Sequence, residues 1–237
     1  MLNTPLYLQV KEKITESLIH GKWKPGQMIP SEIELAKEFL VSQGTVRKAI
    51  DELSAENILT RRQGKGTFVI SHDEEKIQLR FLRLTSNDGN KEKLDNQLLS
   101  FAKVKASAYI AKILQLPANS TLIEIKRLLT FSQRPLIYDH IFIPANHFRG
   151  LTPEEVIQKK GSMYRLYESN YGIQMLRADE KISAVDAEPV VAKLLNVKKQ
   201  SPLLKIERIS YTFGNKPIEW RLGLCLTENH YYKAELE

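Results

Sequence analysis

Apolar residues recur at helical spacing from the start of the chain. Leu6, Val10, Ile14, Leu18 and Ile19 mark one face and Lys11, Glu12, Lys13 and Glu16 the other, and Gly21 ends the run. Pro25-Gly26 marks a turn. Ser31 with Glu34 three residues later forms a capping box for a short second helix, which carries Ile33, Leu35, Ala36 and Phe39. Three residues after Phe39, Ser42 can cap a third helix running from 43 to about 56. Its apolar stripe is Val46, Ala49, Ile50 and Leu53, and its opposite face is Gln43, Gly44, Arg47, Lys48 and Asp51. Asn57 stands where a helix often ends in a left-handed residue. Two β-prone runs, 58–62 and 67–70, then flank Gln63-Gly64-Lys65-Gly66, which is a hairpin signal.

A polar stretch without periodicity, 71–76, reads as a linker, and the pattern changes beyond it. Residues 77–85 alternate like a strand and 86–90 read as a loop. Helices are expected over 104–115, 154–159, 163–170 and 186–195, the last interrupted near its start by Pro189. Strands are expected over 121–130 and 136–143, joined by a turn around Gln133-Arg134-Pro135, and over 173–185. A further hairpin, 203–213 with 218–226, turns at Gly214-Asn215, and 231–236 offers a last strand. The expected organisation is a helical domain with a hairpin over 1–70, a linker over 71–76, and an α+β domain of mostly antiparallel strands over 77–237.

Composition narrows this picture without deciding it. A chain of 237 residues with 42% hydrophobic and 27% charged residues suits two folded domains. No apolar run reaches the roughly 18 residues that span a bilayer, and no signal peptide is visible at the N-terminus. The single cysteine, Cys225, lies in the apolar stretch 222–226 and reads as packed; a reducing cytoplasm is the expected compartment. The net charge of +7 is a weak hint of nucleic acid. Residues 1–72 hold ten Lys/Arg against eight Asp/Glu, so the excess is not gathered in the helical domain.

The placement of side chains says more. A helix that enters the major groove needs short polar and long basic residues in its first turns. Ser42, Gln43, Gly44, Thr45, Arg47 and Lys48 meet that demand. Arg47 can contact guanine bidentately, Gln43 an adenine or a phosphate, and Ser42 and Thr45 a phosphate near the helix N-terminus. The hairpin adds Arg62, Gly64, Lys65 and Gly66, a basic tip with little side chain in the way. Each feature alone has a plain reading as a solvated helix face or an ordinary turn. Together, and in this order, they describe a winged helix-turn-helix.

Residues 5–69 resemble the N-terminal domain of GntR-type bacterial transcription regulators. The matching stretches are Pro5-Leu6-Tyr7, Pro25-Gly26, Pro30-Ser31-Glu32 with Glu34-Leu35-Ala36, Val41-Ser42, Thr45-Val46-Arg47 with Ala49-Ile50, and Arg62-Gln63-Gly64-Lys65-Gly66-Thr67-Phe68-Val69. The resemblance implies that Thr45, Arg47 and the wing glycines touch double-stranded operator DNA. Ile33 and Gln43 stand where many members have arginine, and Asn57 where glycine is usual. The chain from about Ile77 resembles the UTRA effector-binding domain of the HutC branch, related in fold to chorismate lyase. That match rests on Leu116-Pro117 to Arg127, Pro135 through Asp139 to Pro144, Ser162 with Tyr164 and Gly172, and Pro217 with Glu219. By that resemblance Arg127, Asp139, Ser162, Tyr164, Glu219 and Arg221 are the effector contacts. Arg127 can offer a guanidinium fork to a carboxylate or phosphate, or pair internally with Asp139 or Glu219. Sugar-phosphate-binding members commonly carry a second arginine two residues on, where this chain has Leu129, which points to a small organic acid.

The expected activity is that of a ligand-responsive regulator, a repressor by resemblance, binding a palindromic operator as a homodimer through the C-terminal domain, with no cofactor and no membrane. Two alternatives stand beside it. An enzyme finds little support, because the five histidines lack metal-ligand spacing and no catalytic residue or metal site stands out. Asp139 and His140 are adjacent on a strand, so they point to opposite faces and cannot form a dyad. An architectural DNA binder without effector is the other alternative.

Overall fold

The computed structural model describes residues 4–71, 83–89, 94–158 and 163–234. The first domain has three helices, α1 (Leu6–Ile19), α2 (Glu32–Phe39) and α3 (Gln43–Ala55), followed by a hairpin of β1 (Leu59–Arg62) and β2 (Gly66–Val69). Local chemistry sets each boundary. The Ser31 side chain accepts from the Glu34 backbone N–H, and the Glu34 carboxylate accepts from the Ser31 N–H, closing the capping box of α2. The Ser42 side chain accepts from the Thr45 N–H and starts α3. Asn57, at φ 56°, supplies the left-handed residue just past α3. The core packs Val10 and Ile14 of α1 against Leu35 of α2 and Val46, Ile50 and Leu53 of α3, with Trp23, Ile29 and Val69 closing the wing side.

The second domain is built on a six-stranded antiparallel sheet. Along the chain come β3 (Leu84–Ser86), β4 (Leu94–Lys105), α4 (Ala108–Ile113), β5 (Thr121–Phe131), β6 (Arg134–Pro144), α5 (Pro153–Gln158), α6 (Met163–Tyr171), β7 (Arg177–Asp186), α7 (Pro189–Leu195), β8 (Pro202–Thr212), β9 (Lys216–Cys225) and β10 (His230–Tyr232). The sheet order is β4-β5-β6-β9-β8-β7, and β3 pairs separately with β10. One face packs on α5 and α6 through Ile123, Ile125, Ile141, Ile143, Met163 and Tyr167. Beyond that cluster, β3 and β10 approach the same face, where Leu84 packs with Leu129, Phe131, Ile137 and Cys225. The opposite face carries α4 over Leu122 and Trp220, and α7 over Leu128 and Leu203.

Several expected boundaries move, each for a physical reason. The helix expected over 104–115 covers only 108–113, capped by Ser107, because residues through Lys105 belong to β4 and pair with β5. Pairing overrides local propensity here. The strand expected from 173 begins at Arg177. Gln174, Met175 and Leu176 are all buried and so do not alternate. The helix expected from 186 starts at Pro189, its first helical position, since the residue before a proline disfavours helix. The β5–β6 turn sits at Ser132-Gln133, both left-handed (φ 47° and 69°), and places Arg134 opposite Phe131. The last strand begins at His230 and ends at Tyr232. Of the strand expected over 77–85 only its end falls among the described residues, where β3 runs to Ser86; residues 72–76 of the linker lie outside them.

Among the described residues the two domains touch through Gln174, Leu176 and Phe213. Leu176, between α6 and β7, is buried in the core of the helical domain, and Phe213, in the β8–β9 turn, packs against that core. The Gln174 side-chain amide, 2% exposed, donates to the Ile70 carbonyl at the end of the wing.

Candidate functional site

The first candidate surface lies on α3 and the wing. Ser42 and Thr45 bond to each other through their hydroxyls at 2.8 Å, so both serve the start of α3. Arg47, with 58% of its side chain exposed, donates from Nε to Glu32 Oε2 at 3.0 Å. Gln43 Nε2 donates to the same oxygen at 3.2 Å. The Lys48 ammonium lies 3.9 Å from the centre of the Tyr7 ring, a cation–π contact between α3 and α1. Gly44 faces solvent, and an added Cβ would meet only Ser42 Oγ at 3.9 Å, so packing does not demand a glycine there. Gly66 differs: at φ 111° an added Cβ would lie 3.0 Å from Met28 Sδ. Gly64 is also left-handed (φ 69°), and Lys65 between them is exposed. Arg62 stacks on the Phe68 ring of the facing strand at 4.7 Å. The structure therefore gathers all ten sequence-expected residues on α3 and the hairpin.

Two residues outside that set belong to the same surface. Glu32, at the first position of α2, accepts from Gln43, Arg47 and Arg61; Arg61 reaches it from β1 at 3.0 Å and also pairs with Asp51. Burial would push the Glu32 carboxyl up, but its bonds from Arg47 and Gln43 hold it below the usual carboxylate range. Nothing in the spacing of Glu32, Arg47 and Arg61 along the chain signals this convergence.

The second candidate site lies on the α5–α6 face of the sheet. Arg127 on β5 and Asp139 on β6 are register partners, and Arg127 donates from Nε and Nη2 to Asp139 Oδ2 at 3.0 and 2.8 Å. Arg127 is 1% exposed. On β9, Arg221 donates to both oxygens of Glu219, at 3.0 and 2.9 Å, and reaches Asp139 Oδ2 at 3.4 Å. Glu219 is fully buried and also accepts from the hydroxyls of Tyr164 (3.0 Å) and Tyr167 (2.7 Å) of α6. Arg208, on β8, donates to the Tyr164 oxygen at 3.2 Å and to Glu180 of β7 at 2.6 Å. Ser210 lies 3.0 Å from the same tyrosine oxygen.

Charge is balanced inside this network. Three guanidinium groups, Arg127, Arg208 and Arg221, face three carboxylates, Asp139, Glu180 and Glu219. Burial pulls the Arg221 guanidinium down, but Glu219 and the other surrounding negative groups outweigh it, so its pKa rises well above the ordinary value. Burial dominates at Arg127, whose pKa falls despite Asp139. Burial and then Glu219 push both tyrosine hydroxyls up, so they stay neutral donors.

A cleft opens beside the network. Leu129, Ile137, Ile206 and Cys225 form its apolar floor; Asp139, Arg208 and Arg221 form its polar wall; Arg83 and Leu84 at β3 cover it. Its volume is ≈ 40 Å³, room for a few waters. The cover is tied down through β10: Tyr232 donates to Glu180, and Arg83 Nη1 donates to the Tyr232 oxygen at 3.3 Å. Of the sequence-expected effector residues, Arg127, Asp139, Tyr164, Glu219 and Arg221 meet in this one network, and Ser162 lies outside the described residues. Sequence reasoning missed Arg208, Glu180 and Tyr167. The signal for Arg208 was present: it is a lone cation at the inward-facing step after Leu204 and Ile206. Asp139 and His140 do point to opposite faces, His140 bonding Glu124 at 2.7 Å across the sheet from the cleft. Among the described residues no helix is long and apolar enough to cross a membrane.

Comparison with known proteins gives both halves a match. Residues 6–69 match the model of bacterial regulatory proteins of the gntR family, and residues 90–230 match the UTRA domain. The chain is 30% identical over 218 residues to the "Probable fructoselysine utilization operon transcriptional repressor" of Escherichia coli (strain K12), covering 90% of this chain and 87% of that protein. It is 27% identical to the Escherichia coli mannosyl-D-glycerate transport/metabolism system repressor over 98% of this chain and 96% of the other. Among solved structures, the ligand-binding domain of a protein described as a GntR-family transcriptional regulator, from Bordetella bronchiseptica, is 41% identical with a TM-score of 0.65, covering 67% of this chain and 98% of that domain.

Proposed function

We propose, from the premise that this chain belongs to the GntR family of bacterial transcriptional repressors and carries a UTRA effector-binding domain, that it binds a palindromic operator as a homodimer and answers to a small organic acid. The family's relatives are regulators and not enzymes. One winged helix covers one half-site, so a two-fold dimer joined through the second domain would match two half-sites about 34 Å apart or a multiple of that. Ser42, Gln43, Gly44, Thr45, Arg47 and Lys48 of α3 would enter the major groove, and Arg62, Gly64, Lys65 and Gly66 would lie against the backbone or minor groove. DNA as the target places the protein's work in the cytoplasm.

The effector reading rests on one observation: a cleft with an apolar floor and an arginine wall under a tied-down cover. A carboxylate entering beside Arg208 competes with Glu180. That residue is the partner able to yield, because its side chain keeps 12% exposure while Glu219 has none. Displacing Glu180 also frees Tyr232 and so loosens the β3–β10 cover. With the cover loosened, the apolar part of the acid would take the place of Leu84 against Leu129, Ile137 and Ile206. Helix α6 supports the link to DNA. It carries Tyr164 and Tyr167 into the network, and the chain just after it carries Gln174 and Leu176 to the DNA-binding domain.

The test is fluorescence anisotropy with duplex DNA from upstream of the protein's own gene, with and without a panel of small organic acids. The expected result is tight binding that one acid shifts by 5- to 150-fold, roughly the range of allosteric coupling, and that Arg208→Ala no longer feels. Operator binding indifferent to the acids, with no acid raising the melting temperature, would leave an architectural binder. Sugars or phosphates acting where acids do not would remove the organic-acid assignment alone.

A further inference from the structure

Glu32 is an anion set in a surface meant for phosphates. Its Oε2 accepts from Arg47 Nε (3.0 Å) and Gln43 Nε2 (3.2 Å), and its Oε1 from Arg61 Nη2 (3.0 Å). Its side chain is 19% exposed, against 58% for Arg47 and 44% for Arg61. Its place in the first turn of α2 favours the helix by at most about 1 kcal/mol, ion pairs this open contribute little more, and a carboxylate here repels the DNA backbone. Stability and phosphate attraction therefore do not account for it. Its geometry offers another role. A guanidinium held through Nε keeps its far edge, Nη1 with Nη2, for a bidentate contact to a base. Holding the side chain in one rotamer before DNA arrives removes an entropy cost on binding.

We infer that Glu32 is a positioning residue for operator recognition: braced by Arg61 from β1, it presets Arg47 and Gln43 as one rigid reading head and trades general DNA affinity for sequence discrimination. This rests on the reading that α3 faces DNA. The carboxylate acts before contact, and its charge keeps the three donors from settling on arbitrary phosphates.

The test uses the full-length protein, a duplex selected from a random-sequence pool by the unaltered chain, and a scrambled duplex of the same length. Anisotropy titrations run at several salt concentrations. Glu32→Gln keeps the Ser31–Glu34 capping box, so the melting temperature should hold. The expected result is roughly 10-fold weaker binding to the selected duplex. Binding to the scrambled duplex should be unchanged or up to ~3-fold tighter, with a salt slope steeper by up to about one released ion. In an Arg47→Ala background, Glu32→Gln should cost the selected duplex no more than ~3-fold. Equal losses on both duplexes would make Glu32 merely structural, and no loss on the selected duplex would remove its role; either overturns the inference. Arg47→Ala separates the two levels. If it loses the selected duplex while Glu32→Gln does not, only the positioning role falls. If it binds both duplexes as the unaltered chain does, the reading of α3 falls and the positioning role with it.

Discussion

Asp139→Ala should damage the second domain far more than an average substitution. Asp139 Oδ2 accepts two hydrogen bonds from Arg127 and a longer one from Arg221, and it lies 3% exposed. Removing it leaves the Arg127 guanidinium, 1% exposed, without its carboxylate. Breaking a buried pair from one side costs about 3–5 kcal/mol, because the stranded charge keeps its desolvation penalty. For a chain of this size that corresponds to a fall in melting temperature of roughly 6–20 °C. The chain has two tryptophans, Trp23 in the first core and Trp220 on β9. In a Trp23→Phe background, Trp220 fluorescence during urea unfolding reports on the second domain alone. Replacing both partners, Arg127→Met with Asp139→Leu, should return most of the stability, since an apolar pair of similar volume has no charge to desolvate. The same double variant asks whether Arg127 serves the fold or the effector. If it is stable and still answers the acid, the pair is structural; if it is stable and deaf, Arg127 takes part in binding. A loss below ~1 kcal/mol for Asp139→Ala would refute the reasoning, because it would mean that Arg127 finds other partners or water.

Other expectations follow from single residues. Leu40 ends α2 in a left-handed conformation (φ 56°) with 91% of its surface exposed, so Leu40→Gly should raise stability by about 1 kcal/mol, read as a rise in melting temperature. His140 is depressed by burial, against the pull of Glu124. A depressed histidine favours folding above its unfolded pKa near 6.5, and that contribution is lost as pH falls through the folded value. Melting temperature should therefore drop on acidification below about pH 6.5, and less steeply in His140→Gln; equal slopes would remove His140 as the cause. Burial pushes the Cys225 thiol well up, so an aromatic disulfide reagent at pH 8 should react only as the domain unfolds.

The first domain was legible because its signals are local. Ser31 with Glu34, Ser42 and Asn57 each act within a few residues of themselves, and the structure uses these three caps where their chemistry suggested, with the hairpin tip at the glycines 64 and 66. The second domain depends on pairings distant in sequence. Strand β6 is joined to β9 through Asp139 and Gly223, and β4 takes residues that read locally as helix. The sequence left Arg127 open between Asp139 and Glu219. Register decides for Asp139, the residue directly across the ladder, while Arg221, Tyr164 and Tyr167 occupy Glu219.

The same long-range register corrects the count of cations at the cleft. With Leu129 in place of a second arginine on β5, the sequence suggests a site one positive charge short. Arg208 supplies that charge from β8, three strands away in the sheet, and Leu129 lies on the apolar floor. Its partner Glu180 comes from β7 because the two are register neighbours. Within the network three guanidinium groups meet three carboxylates, so the missing arginine does not select the ligand class; the carboxylate able to leave does. Glu180 is the one that touches both the arginine wall and the cover, through Arg208 and Tyr232, so under the proposed function an acid taking its place on Arg208 would also untie the strand pair β3–β10. Among the described residues β3 is the first element of the second domain after the wing.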